Sequence, residues 1–136
     1  MSPANPADSK TRDELVALTL TLLKAIAAGD WQIYTRLCDP SISCFEPEAR
    51  GHLVEGMEFH KFYFDLPSSG NTVQPTISSP HVRMLGEDAA VVSYVRLTQV
   101  VGADQAPVTR VSEETRVWQR QDGQWRHVHF HRSLPT

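Results

Sequence analysis

The chain has 136 residues, 40% of them hydrophobic, and a formal net charge of -3. That is one domain's length, with enough apolar surface for its own core, and no basic excess to attract nucleic acid or an anionic membrane. Its two cysteines, Cys38 and Cys44, make neither a disulfide framework nor a zinc pattern.

The opening MSPANPADSK lacks the apolar stretch of a secretion signal. Residues 1–10 read as a disordered tail. No apolar run approaches the roughly 18 residues of a membrane span, and reduced thiols point to a cytoplasmic setting. Thr11 and Glu14 have the spacing of a capping box, which predicts a helix from Thr11 to about Ala28. Leu15, Leu18, Leu22, Leu23 and Ile26 form its apolar face, and Gly29 ends it. Asp30 is placed to cap a short second helix, Trp31–Leu37, stopped by Pro40. Ser41–Phe45 reads as a strand and Gly56–Phe64 as a third helix, with Phe59, Phe62, Tyr63 and Phe64 in the core.

The rest reads as β. Thr72–Ser78 and His81–Leu85 are short strands, and Pro75 places the first at an edge or bulge. Ala89–Val101 is a long strand, and Val108–Gln121 and Gln124–Arg132 form a hairpin around Asp122-Gly123. Helices followed by a run of antiparallel strands give an α+β fold. A strongly curved antiparallel sheet over the N-terminal helices makes a cone with a pocket between the two.

The last strand contains WRHVHFHRS, Trp125–Ser133. Strict alternation puts His127, His129 and His131 on one face and Val128, Phe130 and Arg132 on the other. Side chains two apart along a strand are about 6.6 Å apart at the backbone, so at most two imidazoles chelate, and no metal is expected. The histidine face is expected on a subunit contact or polar groove, where protonation near pH 6 would loosen an assembly. Arg132 sits among apolar neighbours, as do Arg96 and Arg116 in their strands. Each must pair with a carboxylate, Glu46, Glu48, Glu113 and Glu114 being available, or wait in a pocket for an anion. A two-residue turn at Asp122-Gly123 places Arg116 opposite His129. A three-residue loop, Gln121–Gly123, places it opposite Val128 on the face of Arg132. The second is preferred because it gathers Trp118, Arg116, Phe130 and Arg132.

Three long segments carry a family resemblance: CDPSISCFEPEARGHLVEGMEFHKFYFDL (Cys38–Leu66), PHVRMLGEDAAVVSYVRLTQ (Pro80–Gln99) and SEETRVWQRQDGQWRHVHFHRS (Ser112–Ser133). They closely resemble the association, or hub, domain of calcium/calmodulin-dependent protein kinase II, with similarity from about Asp13 to Ser133. The resemblance implies an NTF2-like (SnoaL-like) cone, a cystatin-like α+β roll, over residues 11–136, here as a freestanding domain. It implies self-association, with dimers formed through the outer sheet face and stacked into rings. It also implies a pocket in which Arg96, Arg116 and Arg132 bind a small carboxylate, with His60 at the mouth and Glu46 close by. The loops Pro67–Asn71 and Gly102–Pro107 are where ring size would change. The chain shows no kinase motifs (no Gly-rich loop, His-Arg-Asp or Asp-Phe-Gly) and no basic amphipathic calmodulin-target helix. Neither kinase activity, calmodulin binding nor a cofactor is therefore expected. The alternative is a small-molecule isomerase, dehydratase or cyclase, with His60 as general acid or base, Glu46 as its partner and Tyr94, also a pocket candidate, donating to an oxyanion. Three inward arginines, permanently protonated, favour anion binding over proton transfer.

Overall fold

The computed structural model describes residues 7–103 and 106–135. Helix α1 spans Ser9–Ala28 and is capped by Asp8, whose carboxylate accepts the Thr11 N–H at 2.8 Å. The cap is thus Asp8 and not Thr11. Both side chains suit the position, but an ionised aspartate holds the first amides more strongly. Residues 9 and 10 therefore belong to the helix and Asp8 caps it, and of the expected tail residues 1–6 lie outside the described residues. Gly29, at φ 66°, closes α1, and Asp30 caps α2, Trp31–Leu37.

The chain passes from α2 directly into β1, Cys38–Phe45, longer than the Ser41–Phe45 expected. A 3-10 turn, Pro47–Ala49, and a two-residue strand β2, Val54–Glu55, lead to α3, Glu58–Phe64. Then come β3 (Thr72–Met84), β4 (Ala89–Val101), β5 (Val108–Gln121) and β6 (Gln124–Ser133). The sheet order is β2-β1-β6-β5-β4-β3. The α+β expectation holds with one change. β1 runs parallel to β6, so the sheet is mixed. The four-strand meander is antiparallel, and β1, arriving from the helices, joins its open side in the direction of β6.

The two expected strands at 72–85 are one strand, β3, irregular between Ser78 and His81, where Ser79 takes φ 53°. Pro75 lies on this edge strand, which has a neighbour on one side only. The aromatic cluster of α3 is split. Phe59 and Phe64 pack against the core, but Phe62 is 61% and Tyr63 41% exposed. A seven-residue helix at the rim has one inward face, and His60 occupies it. Leu15, Leu22 and Leu23 of α1 meet Tyr34, Ile42, Val92 and Trp118 in the core. Trp118 and Trp125 are buried, and Trp31 packs edge-on against Phe64. No helix among the described residues is long and apolar enough to cross a membrane.

The last strand departs most from simple alternation. The β5–β6 turn has two residues, not three: Gln121 pairs with Gln124, and Asp122 and Gly123 take φ 50° and 78°, as a type I′ turn requires. Further along, Trp118 pairs with His127 but Val117 with His129, so Val128 is the extra residue of a β-bulge. The bulge reverses the parity of everything before it. His127 turns into the cone and is fully buried, stacked on Phe130, and does not share the face of His129 and His131. Arg116 comes opposite Phe130, on the expected inner face but by another route. Gly123→Ala should cost about 1 kcal/mol, read as a lower urea midpoint at unchanged slope, because alanine at positive φ strains the turn.

Candidate functional site

On β5 the inner face carries Trp118, Arg116, Glu114 and Ser112 in alternation, and on β4 Val92, Tyr94 and Arg96 stand opposite the last three. This ladder puts charge where a cone would ordinarily hold hydrocarbon. The charges are paired. Arg116 is 1% exposed and Glu114 3%. Arg116 Nη2 donates to Glu114 Oε1 at 2.8 Å and Arg116 Nε to the Tyr94 hydroxyl at 2.8 Å. Tyr94 in turn donates to Glu114 Oε1 at 2.6 Å, and the Ser112 hydroxyl to Glu114 Oε2 at 2.9 Å. The guanidinium carbon of Arg116 lies 4.5 Å from the Phe130 ring centre, a cation–π contact.

Two buried histidines border this cluster. Arg116 Nη1 lies 3.4 Å from His127 Nε2. Arginine only donates, so Nε2 accepts and the His127 proton sits on Nδ1, 3.5 Å from the Cys38 sulfur. Burial, then the Arg116 charge, pushes the His127 pKa well below the ordinary value. His60 Nδ1 is hydrogen bonded to the Tyr34 hydroxyl at 2.8 Å, and its Nε2 lies 3.8 Å from the Cys44 sulfur. Burial and Arg116 lower the His60 pKa to about 4, so it stays neutral. Both thiols are pushed up to about 12, chiefly by burial, and are therefore unreactive despite their imidazole neighbours.

Above this floor opens a cavity of about 300 Å³, lined on its polar side by Arg96, Arg116, Arg132, Glu46, Glu48 and His60. Ile26, Tyr34, Phe64 and Phe130 supply apolar wall. The three arginines are held differently. Arg116 is locked. Arg96 Nε comes within 3.2 Å of Glu114 Oε2, but its N–H is not aimed at the oxygen and makes no hydrogen bond. Arg132 pairs with Glu48 on the 3-10 turn and stands 3.9 Å from Glu46. Burial and the neighbouring Glu48 charge raise the Glu46 pKa. Despite its burial, which alone would raise it, Glu114 is held down at about 2 by Arg116 and Arg96.

Of the residues singled out in the sequence, Arg96, Arg116, Arg132, His60 and Glu46 line one cavity. Tyr94 does not line it; its hydroxyl is taken up between Glu114 and Arg116. His60 is paired with Tyr34, not with Glu46. His129 and His131 lie on the opposite face of the sheet, in a groove with His81. Among the described residues no group of three or more His, Cys, Asp or Glu side chains converges as a metal site. Tyr34 and His127 were not foreseen as neighbours of the site. Nothing in the short helix Trp31–Leu37 marks Tyr34 as a histidine's partner, and the bulge that turns His127 inward has no local sequence signal.

The sequence model of the calcium/calmodulin dependent protein kinase II association domain matches residues 11–135. The chain belongs to this family. It is 51% identical over 129 residues to calcium/calmodulin-dependent protein kinase type II subunit delta of Oryctolagus cuniculus; the match covers 93% of this chain but 24% of the relative's length. Among solved structures it is similar to the hub homology domain of Chlamydamonas reinhardtii, at 53% identity and TM-score 0.87, covering 93% of this chain and 98% of the other. It is also similar to the association domain of the C. elegans kinase, at 48% identity and TM-score 0.85, covering 92% and 96%. A putative dehydratase of the NTF2-like family from Streptomyces avermitilis shares the fold at 18% identity and TM-score 0.75, covering 93% and 97%. The NTF2-like cone is thereby established.

Two predictions follow from the buried charges. Glu114→Gln leaves Arg116 without its counter-charge and should cost about 3–5 kcal/mol, measured by urea denaturation. His60 binds its proton more readily unfolded than folded. Its contribution to stability is therefore complete above pH 6.5 and is lost as pH falls from 6.5 toward 4. The stability difference between wild type and His60→Gln should shrink across that window, by at most about 1.4 kcal/mol per pH unit.

Proposed function

We propose that this chain is a self-associating hub whose cone pocket binds a small carboxylate. The observation that carries the ligand reading is the unequal hold on three converging arginines. Arg116 is committed to Glu114, Tyr94 and His127. Arg96 has no aligned partner for its Nε, and Arg132 is held by glutamates at the rim, Glu48 the more exposed. The Arg132–Glu48 pair leaves Glu48 36% and Arg132 15% exposed, so water reaches its glutamate side. A ligand carboxylate reaching two guanidiniums outcompetes it. The 3-10 turn that carries Glu48 is short and capped by Arg50 at φ 51°, so it can give way at small cost.

Acid–base catalysis fits this geometry less well. His60 has both ring nitrogens facing protein groups and a pKa near 4, and Tyr94 is sequestered beneath the floor. Arginine transfers no proton at working pH.

The outer sheet face supports self-association. Val91, Val95, Leu97, Val111 and Val117 alternate with the inner rungs of β4 and β5 and are only partly buried or exposed. Such a face is satisfied by a second layer. His81, His129 and His131 stand in the groove of about 660 Å³ on the same side. The relatives described as hub and association domains agree with this reading. The assembly is expected to act inside the cell without a kinase activity of its own and without binding calmodulin, nucleic acid or membrane.

Native mass spectrometry should find an oligomer, and calorimetry should find hexanoate bound to it. Arg96→Gln and Arg132→Gln should each weaken hexanoate at least about tenfold, the loss of a charge-assisted pair, with oligomer mass unchanged. Glu48→Gln should tighten it several-fold, because the internal competitor is gone. A monomer would remove the hub reading, and affinity indifferent to all three substitutions would remove the carboxylate reading.

A further inference from the structure

The pocket does not end at Arg96 and Arg132. A second cleft of about 460 Å³ lies beyond them, and Arg96, Arg132 and Glu48 line both spaces. Sharing these three residues, the two cavities adjoin each other along β4 and β5. The strand register gives the order of the rungs: Val92 opposite Arg116, Tyr94 opposite Glu114, Arg96 opposite Ser112, Thr98 opposite Arg110. Side chains two apart share a face. Arg116, Glu114, Ser112 and Arg110 therefore follow one line from the floor of the cone to its mouth.

The polar side of the outer compartment is lined by Ser69, Asn71, Thr98, Arg110 and Ser112 besides the three shared residues, and its apolar side includes Val73, Val100, Val111 and Leu134. Its charged groups are three arginines against Glu48 alone. The inner compartment, by contrast, is nearly self-neutral: Arg96, Arg116 and Arg132 face Glu46 and Glu48, with Glu114 beneath. The surplus positive charge thus sits at the outer end, on Arg110. Arg110 is exposed and makes no ion pair among the described residues. An exposed arginine alone would mean little. What distinguishes this one is its register, one rung beyond Arg96 on the same inner face, about 7 Å along the strand.

We propose that the ligand of these adjoining cavities is an aliphatic dicarboxylate, with one carboxylate on Arg96 and Arg132 and the other on Arg110. The inference rests on the carboxylate reading of the inner pocket and adds the second anionic end. At C–C bonds of about 1.5 Å, a chain of about six carbons spans the step between rungs. Thr98, Ser112 and Asn71 border the path and offer hydrogen bonds to the outer carboxylate.

Adipate and hexanoate have the same chain length and differ by one carboxylate, so they isolate the second end. Calorimetry on the intact protein should find adipate bound about tenfold or more tighter than hexanoate. Arg110→Gln should bring adipate down to the affinity of hexanoate and leave hexanoate unchanged. Arg110 is at the surface, and an unaltered melting temperature would show that the fold is intact. Equal affinity of the two acids in the wild type overturns the dicarboxylate assignment and leaves the carboxylate pocket standing. Equal weakening of both acids by Arg110→Gln also overturns it, since that is a general field effect. Binding of neither acid removes both readings.

Discussion

A fully buried arginine facing a fully buried glutamate sets the terms for the rest of this cone. Arg116 and Glu114 are two residues apart on β5, so they share a face, and that face is the interior. Two charges taken out of water are tolerated only if nearly every lone pair and N–H finds a partner. The surrounding residues meet that demand. Tyr94 bridges the pair, Ser112 and Arg96 attend the second carboxylate oxygen, His127 accepts from the guanidinium, and Phe130 lies under it. The Val128 bulge belongs to the same arrangement. Without the extra residue, β6 could not present both His127 and Phe130 to Arg116.

The pair also explains how the pocket divides its work. Because Glu114 holds Arg116 in place, the cavity has a fixed, internally paired floor that no ligand has to organise. On the proposed function, Arg96 and Arg132 are the two that would take the ligand, one without an aligned partner for its Nε and the other paired at the rim. Glu46 and Glu48 keep the empty pocket nearly neutral, so the cone does not bear the self-repulsion of three bare guanidiniums. On that reading, an incoming carboxylate would substitute for a glutamate, and no bare cation would have to be exposed first. On the proposed function, association and ligand binding would use opposite sides of the same strands.

Much of this was legible in the sequence where local chemistry decides it. Asp30 and Gly29 mark helix ends, Asp122-Gly123 marks the hairpin, and Pro75 marks an edge strand. Arg96, Arg116 and Arg132 stood out because arginine among apolar neighbours needs a reason. The sequence was silent where the answer depends on a distant strand. The Val128 bulge is invisible in WRHVHFHRS, because it exists only in the pairing of this strand with β5. Strict alternation therefore put His127 on the wrong face. The parallel pairing of β1 with β6 is likewise a property of how the chain returns, and nothing in CDPSISCF signals it. Candidate carboxylates could be named, but only the register shows that Glu114 serves the floor while Glu46 and Glu48 serve the rim.

The most direct test of this account is a crystal structure of the assembled protein soaked with hexanoate. The account predicts the carboxylate bonded to Arg96 and Arg132, Glu48 turned away from Arg132, and the Arg116–Glu114 pair unchanged. An acid that displaces Glu114 from Arg116, or a cavity left empty with Arg132 still on Glu48, would contradict it.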